Sequence, residues 1–140
     1  MKENKNGDRN NEIEVMPLKR DMSIIRSLLL DIEAEYTEGG FALEVTEEDE
    51  YSEEEMNYHL QLMKEAKLIK LETVFDEEEE EEELLIYGLT WEGHELLDSI
   101  REEAIWQQLL VKLKRERGSM PFSVLRKQAA KAAESYYASE

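Results

Sequence analysis

Residues 68–90 read LIKLETVF, then DEEEEEEE, then LLIYGLT. The two flanks, 68–75 and 84–90, are apolar, rich in β-branched and aromatic residues, and of strand length. The block between them is eight consecutive acids. Strand, block and strand predict a β-hairpin with its tip at Asp76, Glu77, Glu78, Glu79, Glu80, Glu81, Glu82 and Glu83. A run of like charge is best solvated, so this tip belongs at the surface.

The rest of the charge is as uneven. Across 140 residues, 17 Lys and Arg face 35 Asp and Glu, for a net charge of −18. Residues 37–57 hold nine acids and no Lys or Arg, whereas residues 104–140 carry seven basic side chains against three acidic. Such a chain repels nucleic acid and anionic membranes in general. No apolar run approaches the ~20 residues that span a bilayer. The opening MKENKNGDRN lacks the apolar middle of a signal peptide, and there is no Cys to form a disulfide or a thiolate metal site. A cytoplasmic location is the expectation.

Residues 1–17 are polar and aperiodic and predict a disordered tail. Residues 18–36 predict a helix capped by Asp21, with Ile24, Ile25, Leu28, Leu29 and Ile32 on one face and Gly39-Gly40 as its stop. Residues 41–45, FALEV, predict a short strand. Ser52-Glu-Glu-Glu55 reads as a capping box for a helix to about Lys67, with Met56, Leu60 and Met63 buried and the stripe continued by Ala66 and Ile69. Thr90 caps a long helix from Trp91 to residue 117, its core positions being Leu96, Leu97, Ile100, Ala104, Trp106, Leu109, Leu110 and Leu113. Trp91 is expected under the hairpin, and Gly93 marks a close approach. Gly118 stops that helix, and Pro121 opens an Ala-rich, basic one to about Tyr137.

Helix, short strand, helix, hairpin, long helix, last helix is the winged-helix order with one helix reduced, and the expected domain covers 18–135 with a short tail at 136–140. The expected class is α+β, mostly helical, with a hairpin wing and an extra C-terminal helix. Residues 56–69, MNYHLQLMKEAKLI, resemble the recognition helix of bacterial winged-helix regulators, with Lys67 where that pattern has Gly. The longer set LKRDM at 18–22, YSEEEMNYHL at 51–60, LTWEGHELLD at 89–98, Arg101 and Trp106 resembles a phage- and prophage-associated family, domain of unknown function twenty-five thirteen. That resemblance implies a small winged-helix-like protein in a phage context and implies no activity.

A DNA-reading helix would present Asn57, Tyr58, Gln61 and Lys64 to base edges. Glu53, Glu54 and Glu55 crowd the end that enters the groove, and a wing needs cations where this one has acids. His59 and His94 are the two histidines, and no paired-histidine or EF-hand spacing accompanies them. The carboxylates lie in solvated runs without a nucleophile motif or phosphate loop, so no catalytic residue, cofactor or metal is expected.

The expected function is therefore non-enzymatic. The chain would bind a host or phage protein with a basic surface, as a nucleic-acid mimic inhibiting a DNA-handling or defence enzyme. The residues for this are Asp76 to Glu83 together with Glu47, Glu48, Asp49, Glu50, Glu53, Glu54 and Glu55. A plain solvated loop is the alternative for the acid run. A winged-helix transcription regulator is the alternative function, acting as a homodimer. The last helix, with Phe122, Val124, Leu125 and Ala129 on one side and Arg126, Lys127 and Lys131 on the other, packs either on the long helix or across a dimer.

Overall fold

The computed structural model describes residues 17–115 and 119–138. The expected tail before Pro17 and the Gly118 stop lie outside these residues. Among those described, five helices and a two-stranded antiparallel hairpin make a mixed α+β fold.

Helix α1 spans Met22–Glu35, and Asp21 caps it by accepting from the Ser23 amide at 2.8 Å. Its expected face, Ile24, Ile25, Leu28, Leu29 and Ile32, is buried throughout. The helix ends at Glu35, before the glycines, because Tyr36 already leaves helical geometry with ψ 130. Gly40 has a different task. At φ 89 it turns the chain back, and a Cβ there would stand 2.7 Å from the Tyr87 ring. The strand expected over 41–45 shrinks to one bridge. The Phe41 amide donates to the Ile86 carbonyl at 3.0 Å, and the Ile86 amide donates back at 2.7 Å.

Helix α2 spans Glu53–Glu65 and carries the full capping box between Ser52 and Glu55. Met56, Leu60 and Met63 are buried as the spacing predicts, whereas Ala66 is exposed, because the helix has already ended there. Lys67 takes φ 64, its amide donates to the Lys64 carbonyl, and the Leu68 amide donates to the Met63 carbonyl, both at 2.9 Å. These two bonds form a Schellman turn with Lys67 in the left-handed position that glycine favours. The Lys at this position thus keeps the turn and carries its strain. Lys67→Gly is expected to raise stability by about 0.5–1 kcal/mol, the relief of the left-handed Cβ less the extra freedom of an unfolded glycine. Urea unfolding checks this, and a destabilised variant would sink the strain argument.

Strand β1, Ile69–Asp76, pairs with β2, Glu81–Leu89. The register runs Ile69 to Leu89 and Lys70 to Gly88, then slips, so that Leu71 faces Ile86 and Tyr87 is the bulged residue.

The long helix expected from Trp91 to residue 117 is two helices, α3 at Trp91–Ile100 and α4 at Glu103–Arg115. Arg26 causes the break. From α1, its Nε donates to the Ile100 carbonyl at 2.8 Å and its second terminal nitrogen to the Arg101 carbonyl at 2.7 Å. These are the acceptors a continuing helix would offer to its own next turn. The break shifts the helical phase, so Ile105 is buried with Trp106 and Ala104 faces solvent. Arg101 also makes paired bonds to Glu33 at 2.6 and 2.8 Å, and these hold the Glu33 carboxyl below its ordinary value.

Thr90 fixes the start of α3. Its hydroxyl donates to the Lys67 carbonyl at 2.6 Å and accepts from the Gly93 amide at 3.0 Å. With Gly93, Leu96, Leu97 and Ile100 turned inward, a residue two positions before Gly93 must face out. Trp91 is accordingly 74% exposed and does not lie under the hairpin. Helix α5, Phe122–Ala138, packs on α3 and α4 through Leu125 and Ala129, while Val124 stays exposed. Arg20 ties its start to α1 through Ser119 and the Met120 carbonyl.

Candidate functional site

The acid run is half strand and half turn. Asp76 closes β1, residues 77–80 form the turn, and Glu81, Glu82 and Glu83 open β2. The expected tip therefore shrinks to four residues. Asp76 is the reason, for its side chain accepts from the Glu78 and Glu79 amides at 2.9 and 3.4 Å, an Asx turn that reverses the chain at once. Glu80 completes the reversal at φ 55. The ladder then pairs Asp76 with Glu81, Phe75 with Glu82 and Val74 with Glu83. Opposed like charges weaken such a ladder, and full exposure to water limits the cost.

A cleft of about 260 Å³ opens between β2, α2 and the chain after Phe41. Ala42, Leu43, Met56, Leu60 and Leu84 supply apolar lining. Around them stand Glu44, Glu53, Asp76, Glu79, Glu81, Glu82 and Glu83, and Asn57 completes the lining. Hairpin acids and the first acid of α2 thus meet at one place, though they are far apart in sequence. Glu77, Glu78 and Glu80 are exposed outside the cleft, and so is Glu54.

The other expected acids do not join it. Glu48, Asp49 and Glu50 line a separate groove against α1, with Asp21, Ser23, Ile24, Ser27 and Tyr51. Glu47 is exposed and lines neither cavity. Asp49 is committed to its own turn, accepting from the Thr46 amide at 2.8 Å. Burial, with the charges of Asp49 and Glu35 added, raises the Asp31 carboxyl above its ordinary value nearby. Burial and the Asp49 and Asp31 charges push the Tyr51 phenol up to about 12. Glu55 is likewise committed, accepting from the Ser52 amide at 3.0 Å. Glu44 was missed by sequence reasoning. Its signal was the alternation of FALEV, which sets Glu44 on the polar face of that segment, opposite Phe41, Leu43 and Val45.

On the helix that the alternative, DNA-reading function would use, Gln61 and Lys64 are exposed, Asn57 faces the acid cleft, and Tyr58 is half-buried edge-on to His59 at 5.3 Å. His59 itself is fully buried. Its Nε2 lies 2.8 Å from the Asp21 amide, which can only donate, so Nε2 accepts. Nδ1 must then carry the proton, which it donates to the Glu55 carbonyl at 2.7 Å. The imidazole links the caps of α1 and α2. His59→Leu keeps the volume and strands a half-buried amide, so a loss of about 2 kcal/mol is expected in urea unfolding. A variant as stable as the parent would mean that water serves that amide instead. His94 is exposed, and no cluster of potential metal ligands occurs among the described residues. No described helix is long and apolar enough to cross a membrane.

A Haemophilus influenzae protein, described as uncharacterized, is 34% identical over 97 residues, which cover 69% of this chain and 80% of that one. No solved structure matches. A family model described as "Hypothetical protein (DUF2513)" matches residues 19–120, from just before the α1 cap to the turn into α5. The chain belongs to the DUF2513 family.

Proposed function

We propose that this protein is a non-enzymatic, winged-helix-like interaction module of phage type that binds a basic protein surface through its acid cleft. It acts as a nucleic-acid mimic on a host DNA-handling or defence enzyme. The winged-helix reading is supported by the element order and by the Phe41–Ile86 bridge, which stands where that fold has the third strand of its sheet. In that fold, nucleic acid lies along the recognition helix and the wing. The observation that carries the functional reading is the set of seven carboxylates lining the cleft between α2 and the hairpin. Phosphates are repelled from such a place, and Lys and Arg are drawn to it. The apolar floor then gives a docked partner contacts that salt does not screen.

Two charge-matched variants test this. One converts the cleft acids Glu44, Glu53, Glu79 and Glu82 to Gln. The other converts Glu54, Glu77, Glu78 and Glu80, which are acids outside the cleft. The readouts are capture of nucleic-acid-binding proteins from a bacterial lysate and binding of duplex DNA at low salt. The expected result is no duplex binding by the parent, with capture of basic proteins that the cleft variant loses by about tenfold or more and the outer variant largely keeps. Equal losses would reduce the acids to general steering, and tight duplex binding with a steep salt slope would replace this reading with the transcription regulator.

A further inference from the structure

Resting on the acid-cleft reading, we infer that the cleft takes an extended peptide segment of alternating basic and apolar residues, added as a strand to the free edge of β2. The backbone geometry points there independently of the charges. In an antiparallel ladder, successive residues direct their amide and carbonyl groups to opposite sides. Ile86 directs both groups at Phe41, away from β1. Leu84 and Glu82, two and four residues earlier, therefore direct theirs the same way, into the cleft.

The segment after Phe41 would be their natural partner, yet it stays apart. Among the described residues, the Phe41–Ile86 pair is the one bridge between that segment and β2. Beyond it the chain diverges, and Leu43 and Leu84 line the cleft from its two sides. An open sheet edge invites a strand from another chain.

The lining sets the sequence of the guest. Alternate residues of a strand face opposite sides. One set meets the apolar floor at Met56, Leu60 and Leu84, and the other lies over the opposite face of β2, which carries Glu81 and Glu83. Alternating Val and Lys satisfies both, whereas a polylysine satisfies the acids alone.

Fluorescence anisotropy with the labelled peptide Lys-Val-Lys-Val-Lys-Val-Lys tests this. The comparison peptides are a lysine homopeptide of equal length and the alternating peptide N-methylated at every second amide. The alternating peptide is expected to bind about tenfold tighter than the homopeptide despite its lower charge, and N-methylation to remove about tenfold. On the protein, Leu84→Pro deletes a donor aimed into the cleft without touching the β1 ladder and should weaken binding about tenfold. Thr73→Pro, at the position facing Leu84, deletes a donor on the opposite edge of the hairpin and should change nothing. If Leu84→Pro fails to fold, the N-methylated peptide still decides. A homopeptide that binds as tightly, with no effect of N-methylation, overturns strand addition while the acid-cleft reading stands. Binding lost with Thr73→Pro and kept with Leu84→Pro puts the guest on the wrong edge and also overturns it. No binding of any basic peptide overturns both readings.

Discussion

Replacing Gly93 with Ala is expected to lower stability by about 3 kcal/mol, at the upper end of overpacking costs. Helix propensity alone predicts the reverse, a gain of about 1 kcal/mol for Ala over Gly inside a helix. Contact decides. A Cβ at Gly93 would stand 2.1 Å from the Leu68 carbonyl oxygen, 3.1 Å from its carbon and 3.3 Å from the Leu89 Cβ. The obstacle is backbone, and that oxygen already accepts from the Thr90 amide at 2.9 Å. No side-chain rotation relieves the clash, so α3 must lift from the start of β1. Lifting it loosens Leu96 and Leu97, both buried in the central core. Urea unfolding of Gly93→Ala beside Glu92→Ala, an exposed neighbour, separates contact from propensity. A Gly93→Ala midpoint at or above the parent's would show that α3 does not press on Leu68.

That glycine marks what could be read from sequence. Its close approach was legible because a Gly in a first helical turn has no other local use there. The caps at Asp21, Ser52 and Thr90 were legible because each side chain acts on amides two or three residues away. The faces of α1 and α2 followed from periodicity, and so did the hairpin. Failures came where the cause was distant. Residues 91–115 are periodic and free of Pro, with nothing local to interrupt them. The break at Arg101 depends on Arg26, which lies 74 and 75 residues from the carbonyls it binds. Trp91 was misplaced because the capping that rotates α3 runs through Lys67. In the acid run, charge predicted a solvated loop, whereas the Asx turn at Asp76 let the strands continue through carboxylates. The cleft was partly legible. Two acid clusters were visible, but sequence distance does not show that Glu53 meets the hairpin and Asp49 does not.

Arg26→Ala is expected to cost about 3 kcal/mol, and the loss should come from the break between α3 and α4. Arg26 is half-buried, binds the Ile100 and Arg101 carbonyls, and lies 5.2 Å from the Trp106 ring centre. Each charge-assisted bond contributes about 1.5 kcal/mol or more, and the aromatic contact adds about 0.5–1 kcal/mol. Truncation leaves two helix-end carbonyls without their donor and uncovers one face of Trp106. The easiest relief is for the chain to continue the helix, since residues 101 and 102 carry no helix breaker. Fusing α3 with α4 would move α5, which rests on both. Arg26→Met separates the contributions, because it keeps most of the stem and removes every donor. A Met variant nearly as unstable as Ala, with new amide protection at residues 101–104 in hydrogen exchange, is the expected outcome. A Met variant as stable as the parent would show that the break stands without Arg26. The cleft is lined by no residue of α3 or α4. Binding of basic peptides should therefore survive Arg26→Met wherever the variant remains folded, whereas the Gln variant of the cleft acids should lose binding at full stability.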